Sequence, residues 1–148
     1  MIISKTAFVL KKREEVFKLV DQVENYPGFL SWCDSSEILD KNEIITIAKI
    51  NINFKGLKQN FTTKNVKYYP HKMDIKLIDG PFKKLDGFWE FVKIDDNSCK
   101  INFKLEYEYK NFFLEKLISP IFNIIANTLI DNFIKKAEET KYARLNNS

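Results

Sequence analysis

Between residues 36 and 110 the chain alternates apolar and polar residues in five or six short runs, the pattern of strands that bury one face. Turn-forming residues separate the runs: Asp40-Lys41-Asn42, Lys55-Gly56, Tyr69-Pro70, Asp79-Gly80-Pro81 and Asp95-Asp96-Asn97. Connections this short join antiparallel neighbours, because parallel strands need crossovers of about a dozen residues or more. The alternation therefore predicts an antiparallel meander.

The parity of each run predicts which side chains point into the protein. The last run is the clearest, because charged or amide residues alternate with Cys99, Ile101, Phe103, Leu105, Tyr107 and Tyr109. By the same rule the other inward-facing residues are Leu57, Gln59, Phe61, Thr63, Met73, Ile75, Leu77, Leu85, Gly87, Trp89 and Phe91.

Other elements flank the meander. Residues 1–10 predict a strand, residues 13–23 a helix, and Phe29, Leu30 and Trp32 a second small helix after a break at residues 25–28. Residues 115–143 predict a long helix, which Ser119-Pro120 either kinks or restarts, and residues 145–148 are expected to fray. Its apolar stripe consists of Leu117, Ile118, Ile121, Phe122, Ile125, Leu129, Phe133 and Ala137.

This order of elements predicts an α+β fold. A curved antiparallel sheet of six or seven strands would wrap around the long C-terminal helix, with two short helices after the first strand. We expect one domain over residues 1–148, since this length suits a single hydrophobic core. The inward-facing side chains either fill a dry core or line a cavity, and the pattern alone does not distinguish these two alternatives.

Composition narrows the functional classes. A net charge of +4 is too small to indicate nucleic-acid binding by itself. Cys33 and Cys99 are too far apart for a zinc ribbon and too few for a disulfide framework, which favours a reducing compartment. The start of the chain lacks the apolar segment of a signal peptide, and polar residues interrupt the most apolar stretch, residues 114–125. We expect a cytoplasmic protein, either free or peripherally bound at the inner membrane.

No residue pattern indicates catalysis. His71 is the only histidine and follows Tyr69-Pro70 in a predicted turn, where a solvated side chain is the simplest interpretation. The carboxylate pairs fall on helix surfaces, a polar strand face or turns, and Asp79 and Asp86 flank the Gly80-Pro81 turn. The sequence predicts a protein that is not an enzyme, has no metal site and requires no cofactor.

The most distinctive charge feature is a basic stretch, residues 55–76, in which the single acid is Asp74. It is either an ordinary solvated sheet face or a docking patch for ribosomal RNA phosphates or anionic lipid head groups. Its lysines are Lys55, Lys58, Lys64, Lys67, Lys72 and Lys76.

Four segments along nearly the whole chain carry a family resemblance. The first is Phe17-Lys18-Leu19-Val20 together with residues 23–33, and the second is Phe54-Lys55-Gly56 followed by residues 61–65. The third is residues 77–83 with Leu85, Gly87 and Trp89, and the fourth contains Pro120, Phe122, Ile125-Ala126-Asn127 and Phe133. Together they resemble the RatA family, the coenzyme Q-binding, START-like proteins of the polyketide cyclase superfamily.

The resemblance implies a helix-grip (START/Bet v 1-like) fold and two different roles. One is the binding of ubiquinone or a related lipid in support of respiratory electron transfer, and the other is binding to the large ribosomal subunit, which blocks subunit joining. The first role would place the ligand between sheet and helix, and the second would use the basic stretch. A cyclase-type enzyme is a third alternative, although no pocket-facing acid or base stands out. The expected pocket lining is Phe61, Met73, Leu77, Trp89, Phe103, Tyr107, Phe122, Ile125 and Leu129.

Overall fold

Within residues 1–147, the part of the chain that the computed structural model describes, seven antiparallel strands form one sheet. The strands are β1 (Ile2–Val9), β2 (Cys33–Lys41), β3 (Ile45–Phe54), β4 (Leu57–Tyr68), β5 (Lys72–Asp79), β6 (Phe82–Asp95) and β7 (Ser98–Tyr109). Their spatial order is β1-β7-β6-β5-β4-β3-β2, so the predicted meander is confirmed and β1 closes the far edge beside β7. Side chains are described for residues 1–139. Residues 145–148, which were expected to fray, are outside that range.

The predicted parity is confirmed in the central strands. On β7, Cys99, Ile101 and Phe103 are buried, and Trp89 on β6 lies directly opposite Phe103. A register shift between Thr62 and Thr63 leaves an extra residue on β5. Such bulges bend a strand and increase its twist, which helps the sheet curve.

Gly87 allows β6 and β7 to approach closely. A Cβ atom built at this position would lie 2.0 Å from the backbone carbonyl oxygen of Lys104. Any larger residue would therefore push the two strands apart.

Two short helices follow β1, as predicted, but the second lies earlier than expected. Helix α1 spans Arg13–Asp21, and a 3₁₀ helix spans Val23–Gly28. Phe29 and Leu30 donate backbone hydrogen bonds to the Tyr26 carbonyl at 3.2 and 2.9 Å. These two bonds close the last turn after residues 23–28. The expectation of a helix at Phe29, Leu30 and Trp32 was wrong, because this segment turns directly into β2.

Helix α2 (Phe112–Asn147) covers the concave face of the sheet and is longer than predicted. It begins where the Asn111 side chain accepts a hydrogen bond from the Leu114 N–H at 2.9 Å, and it runs through Pro120 without restarting. Leu117 was wrongly placed on the buried stripe, because it lies about 100° around the helix from Ile118 and is 49% exposed. The buried residues of α2 are Ile118, Phe122, Ile125, Ala126, Ile130, Phe133 and Ala137.

By length and composition, the segment Phe112–Glu139 is apolar enough to span a membrane. A core helix of a water-soluble fold meets the same criterion, and this helix packs one face against the sheet.

Candidate functional site

A cavity of about 90 Å³ lies between α2 and the concave face of the sheet. Side chains from the 3₁₀ helix region, from β3 to β7 and from α2 meet around it, because the inward parity of each strand points toward the helix. Its walls are mainly apolar. The lining residues are Val23, Tyr26, Trp32, Ile50, Phe61, Thr63, Asn65, Ile75, Leu85, Trp89, Phe103, Leu105, Phe122, Ile125, Ala126, Leu129 and Phe133.

Six of the nine residues expected to line a pocket surround this cavity: Phe61, Trp89, Phe103, Phe122, Ile125 and Leu129. The other three do not. Met73 is fully buried within the packed core, and Leu77 is half-buried outside the cavity. Tyr107 is fully buried and donates its hydroxyl hydrogen to Asn123 Oδ1 at 2.8 Å, so its side chain ties β7 to α2 instead of facing the cavity.

Interlocked aromatic rings form one wall of the cavity. The Trp89 ring lies 4.9 Å from Phe103 and 5.1 Å from Phe133, measured between ring centroids. Phe122 lies 4.9 Å from Phe82 in the same way. Tilted and edge-to-face rings at these distances attract one another by about 0.5–1.5 kcal/mol beyond the burial of their area. These contacts hold the rings of this wall against one another.

Trp32, Thr63 and Asn65 are buried residues with polar groups that also line the cavity, and the expected pocket lining did not include them. Thr63 donates to Asn65 Oδ1 across a long 3.4 Å hydrogen bond. Trp32 Nε1 is buried and has no hydrogen-bond partner among the described residues. An unsatisfied buried donor costs about 1–3 kcal/mol, so this arrangement destabilises the protein without a ligand. A polar residue on a buried parity, such as Thr63 or Asn65, is the sequence signal that could have revealed them.

Tyr26 is the ionisable side chain among the described lining residues, and it stays neutral at ordinary pH. Tyr26 donates its hydroxyl hydrogen to the Val20 carbonyl, and burial raises the pKa of this phenol far above its usual value. Burial also raises the pKa of the Cys33 and Cys99 thiols to about 11. Thiols in this state are poor nucleophiles and poor metal ligands near neutral pH.

His71 is exposed in the turn between β4 and β5, with Nδ1 3.2 Å from Arg13 Nη1. It lies outside the cavity lining. Among the described residues, no group of three or more histidine, cysteine, aspartate or glutamate side chains could hold a metal ion.

The basic stretch is divided between two faces of the sheet. Lys58, Lys64 and Lys76 are exposed, and Lys64 lies directly opposite Lys76 in the β4–β5 register. Lys67 does not belong to this surface, because it shares the inward parity of Thr63 and Asn65. Its side chain is 5% exposed.

Of the remaining lysines, two form salt bridges and one lies in a turn. Lys67 Nζ lies 3.0 Å from Asp21 Oδ2 of α1, and Lys72 Nζ lies 3.2 Å from Asp74 Oδ1. Lys55 occupies the β3–β4 turn with a positive φ of 50°. Of the six lysines of the expected docking patch, only Lys67 has a buried side chain, and we call the exposed residues Lys58, Lys64 and Lys76 of the strands the outer lysine trio.

A curved antiparallel sheet that holds one long helix over an internal cavity defines the helix-grip class of START-like proteins. The sequence profile of the family described as "Polyketide cyclase / dehydrase and lipid transport" matches residues 11–134. The chain belongs to this family.

Relatives in the family include two ribosome association toxins named RatA. The protein from Pseudomonas aeruginosa is 32% identical over 137 residues, which cover 93% of this chain and 95% of the relative. The protein from Escherichia coli K12 is 34% identical over 142 residues, which cover 96% and 90%. A more distant relative, the mitochondrial coenzyme Q-binding protein COQ10 homolog B from Xenopus laevis, is 23% identical and matches over 84% of this chain and 52% of its own length.

Solved structures share the fold. The Zhui aromatase/cyclase from Streptomyces superimposes with a TM-score of 0.82 at 10% identity, covering 93% of both chains. The protein CC1736 from Caulobacter crescentus superimposes with a TM-score of 0.73 at 23% identity, covering 95% and 98%. The named relatives are a ribosome association toxin and a coenzyme Q-binding protein, whereas the structural neighbours include enzymes.

Proposed function

We propose that the protein binds a neutral, largely apolar ligand, ubiquinone or a related lipid, in the cavity between sheet and helix, and so supports respiratory electron transport. The observation that carries this proposal is a cavity with mainly apolar walls and no formally charged residue among its described lining. Apolar pockets with a few polar groups are typical of small-molecule sites. The family description and the coenzyme Q-binding relative support the same ligand class.

The cavity must widen to take up a whole lipid. Its volume of about 90 Å³ is smaller than the roughly 300–1,000 Å³ of typical ligand pockets. Phe61, Ile75 and Leu129 are the half-buried members of its lining, so the cavity is least covered where they lie. Displacement of these side chains would extend the space toward the surface while the aromatic wall stays in place.

Peripheral contact with a membrane would bring the protein to the source of such a ligand. At the start of α2, Phe112 and Phe113 are 69% and 73% exposed. Lys116 Nζ lies 4.8 Å from the centre of the Phe112 ring, so a cation accompanies the exposed aromatic pair. Aromatic side chains with adjacent lysines suit the interface of an anionic bilayer, where each lysine contributes about 1 kcal/mol.

Binding without catalysis fits the chemistry of the cavity. Its described lining offers no carboxylate, imidazole or amine that could move a proton at neutral pH. The tyrosine and thiols nearby are kept protonated by burial, as described above. We therefore propose a carrier or binding protein that needs no cofactor for chemistry.

Isothermal titration calorimetry with ubiquinone-1, which has a single isoprene unit, tests the proposal directly. We expect saturable binding near one ligand per chain, with a negative heat-capacity change because apolar surface is buried. Absence of saturable binding to the folded protein would refute the proposal.

A second candidate function is association with the large ribosomal subunit. The RatA relatives support it, since they match over more than nine-tenths of this chain. The outer lysine trio supports it too, because its three lysines are exposed and lysines bind the phosphates of RNA.

Charge reversal tests this second candidate. The variant Lys58→Glu with Lys64→Glu should abolish co-sedimentation with purified large subunits, and binding by the parent should weaken steeply with salt. Lys5→Glu with Lys12→Glu makes an equal charge change at exposed positions of β1 and the start of α1, so it serves as the control. Equal co-sedimentation by both variants would contradict docking through the outer lysine trio.

A further inference from the structure

The buried polar side chains of the cavity form a distinct group within its apolar lining. Trp32, Thr63 and Asn65 are 5%, 6% and 9% exposed, respectively, and all three line the cavity. Buried polar groups in proteins nearly always have hydrogen-bond partners. An unpartnered buried donor on a residue that lines a cavity therefore points to a ligand atom as its missing partner.

The hydrogen-bonding capacity left in this group consists mainly of donors. An indole N–H can only donate, and Trp32 Nε1 has no partner among the described residues. Asn65 uses its Oδ1 to accept from Thr63, which leaves the two amide hydrogens on Nδ2 outside that bond. The complementary ligand group is a hydrogen-bond acceptor.

The absence of charge in the described lining decides which acceptor fits. A carboxylate or phosphate would enter the cavity without a cation to pair with it, because no lysine, arginine or histidine is among the lining residues. Burial of an unpaired charge is strongly unfavourable. A carbonyl oxygen is a neutral acceptor that the two donors can satisfy.

We propose that Trp32, Thr63 and Asn65 form a head-group site that recognises a neutral carbonyl-bearing ring or chain end, such as a quinone. This inference rests on the proposed ligand-binding function and names the part of the ligand that the protein recognises. The apolar tail would pass between the half-buried Phe61 and Leu129.

Two probes separate head-group recognition from general apolar binding. Ubiquinone-1 carries carbonyl acceptors, whereas butylbenzene is a neutral hydrocarbon without any. In calorimetric titrations, Asn65→Leu and Trp32→Phe should each weaken ubiquinone-1 about five- to tenfold, the effect expected for one lost neutral hydrogen bond. Butylbenzene should bind these variants as well as the parent or more tightly. Thr62→Val is the matched control, since Thr62 is buried next to Thr63 but does not line the cavity.

The outcomes distinguish this inference from the proposed function. If the parent binds both probes and the variants lose affinity for both in parallel, the residues are structural and the head-group site is refuted, while ligand binding stands. Unchanged ubiquinone-1 affinity in both variants refutes the head-group site as well. If the parent binds neither probe, the proposed function and the head-group site fail together.

Discussion

Filling the cavity without adding charge should abolish ligand binding and leave the fold intact. Leu129 lies on α2, lines the cavity and is half-buried at its least covered side, so Leu129→Trp places a larger apolar side chain into the space. At roughly 24 cal/mol per Å³, an empty cavity of about 90 Å³ costs the protein about 2 kcal/mol. An indole that fills the space recovers nearly all of that cost, whereas overpacking adds about 1–3 kcal/mol of strain. The free energy of unfolding should therefore change by only about 1 kcal/mol in either direction.

Calorimetric melting with and without ubiquinone-1 measures both effects. A ligand present at 100 times its Kd stabilises the parent by about 2.7 kcal/mol, which raises Tm by about 5–10 °C in a protein of this size. We expect this ligand-induced shift to disappear in Leu129→Trp, although its Tm without ligand stays within a few degrees of the parent.

Leu117→Trp is the matched control for this experiment. It makes the same substitution on the same helix at a position that is 49% exposed and does not line the cavity. Its ligand-induced shift should equal that of the parent. A full shift in Leu129→Trp would refute the cavity as the binding site, and loss of the shift in both variants would point to a different effect of the added tryptophan.

Three further predictions concern the core, the histidine and the thiols. Phe122→Ala should lower the free energy of unfolding in urea by about 3–5 kcal/mol, because the ring is 3% exposed, and an unchanged midpoint would contradict its core position. His71→Ala should leave stability within about 0.5 kcal/mol and ubiquinone-1 affinity unchanged, since the ring is exposed outside the cavity; loss of function in the folded variant would contradict the non-catalytic proposal. Burial raises the pKa of Cys33 and Cys99 from 9.0 to about 11. As pH rises, the thiols of the unfolded chain therefore lose their protons at a lower pH than those of the folded protein, and the free energy of unfolding should fall between about pH 9 and 11. The double variant Cys33→Ala with Cys99→Ala should show a shallower fall in urea titrations, and an identical pH profile would contradict the thiol contribution.

The order of β2 to β7 followed from local signals, whereas the pairing of β1 with β7 is a long-range contact that these signals did not predict. Each segment shows alternation with a period of two, and turns of two or three residues join consecutive segments. Turns this short make consecutive strands antiparallel neighbours, so no knowledge of long-range contacts is needed. The second short helix could not be placed in the same way. Its position depends on the Tyr26 side chain, whose hydroxyl contacts the Val20 carbonyl and which packs 5.2 Å from the Phe133 ring of α2. That contact spans most of the chain.

Parity also explains which part of the site could be predicted. Trp89 and Phe103 could be predicted from the inward parity of their strands, and Phe122 from the apolar stripe of the long helix. Asn65 and Lys67 have the same inward parity, but Asn65 was not assigned to the pocket and Lys67 was grouped with the basic stretch. Only the fold shows that Asp21 of α1 meets Lys67, which allows that lysine to be buried.

The central claim is that the cavity holds a neutral lipid, and the most direct test is to identify what the protein carries. The full chain should be produced in a quinone-containing bacterial host, purified without detergent, and extracted with organic solvent for mass spectrometry. We predict that the parent releases a quinone or similar neutral lipid in an amount approaching one per chain, and that Leu129→Trp releases only background. Equal background release from the parent and from Leu129→Trp would contradict the claim.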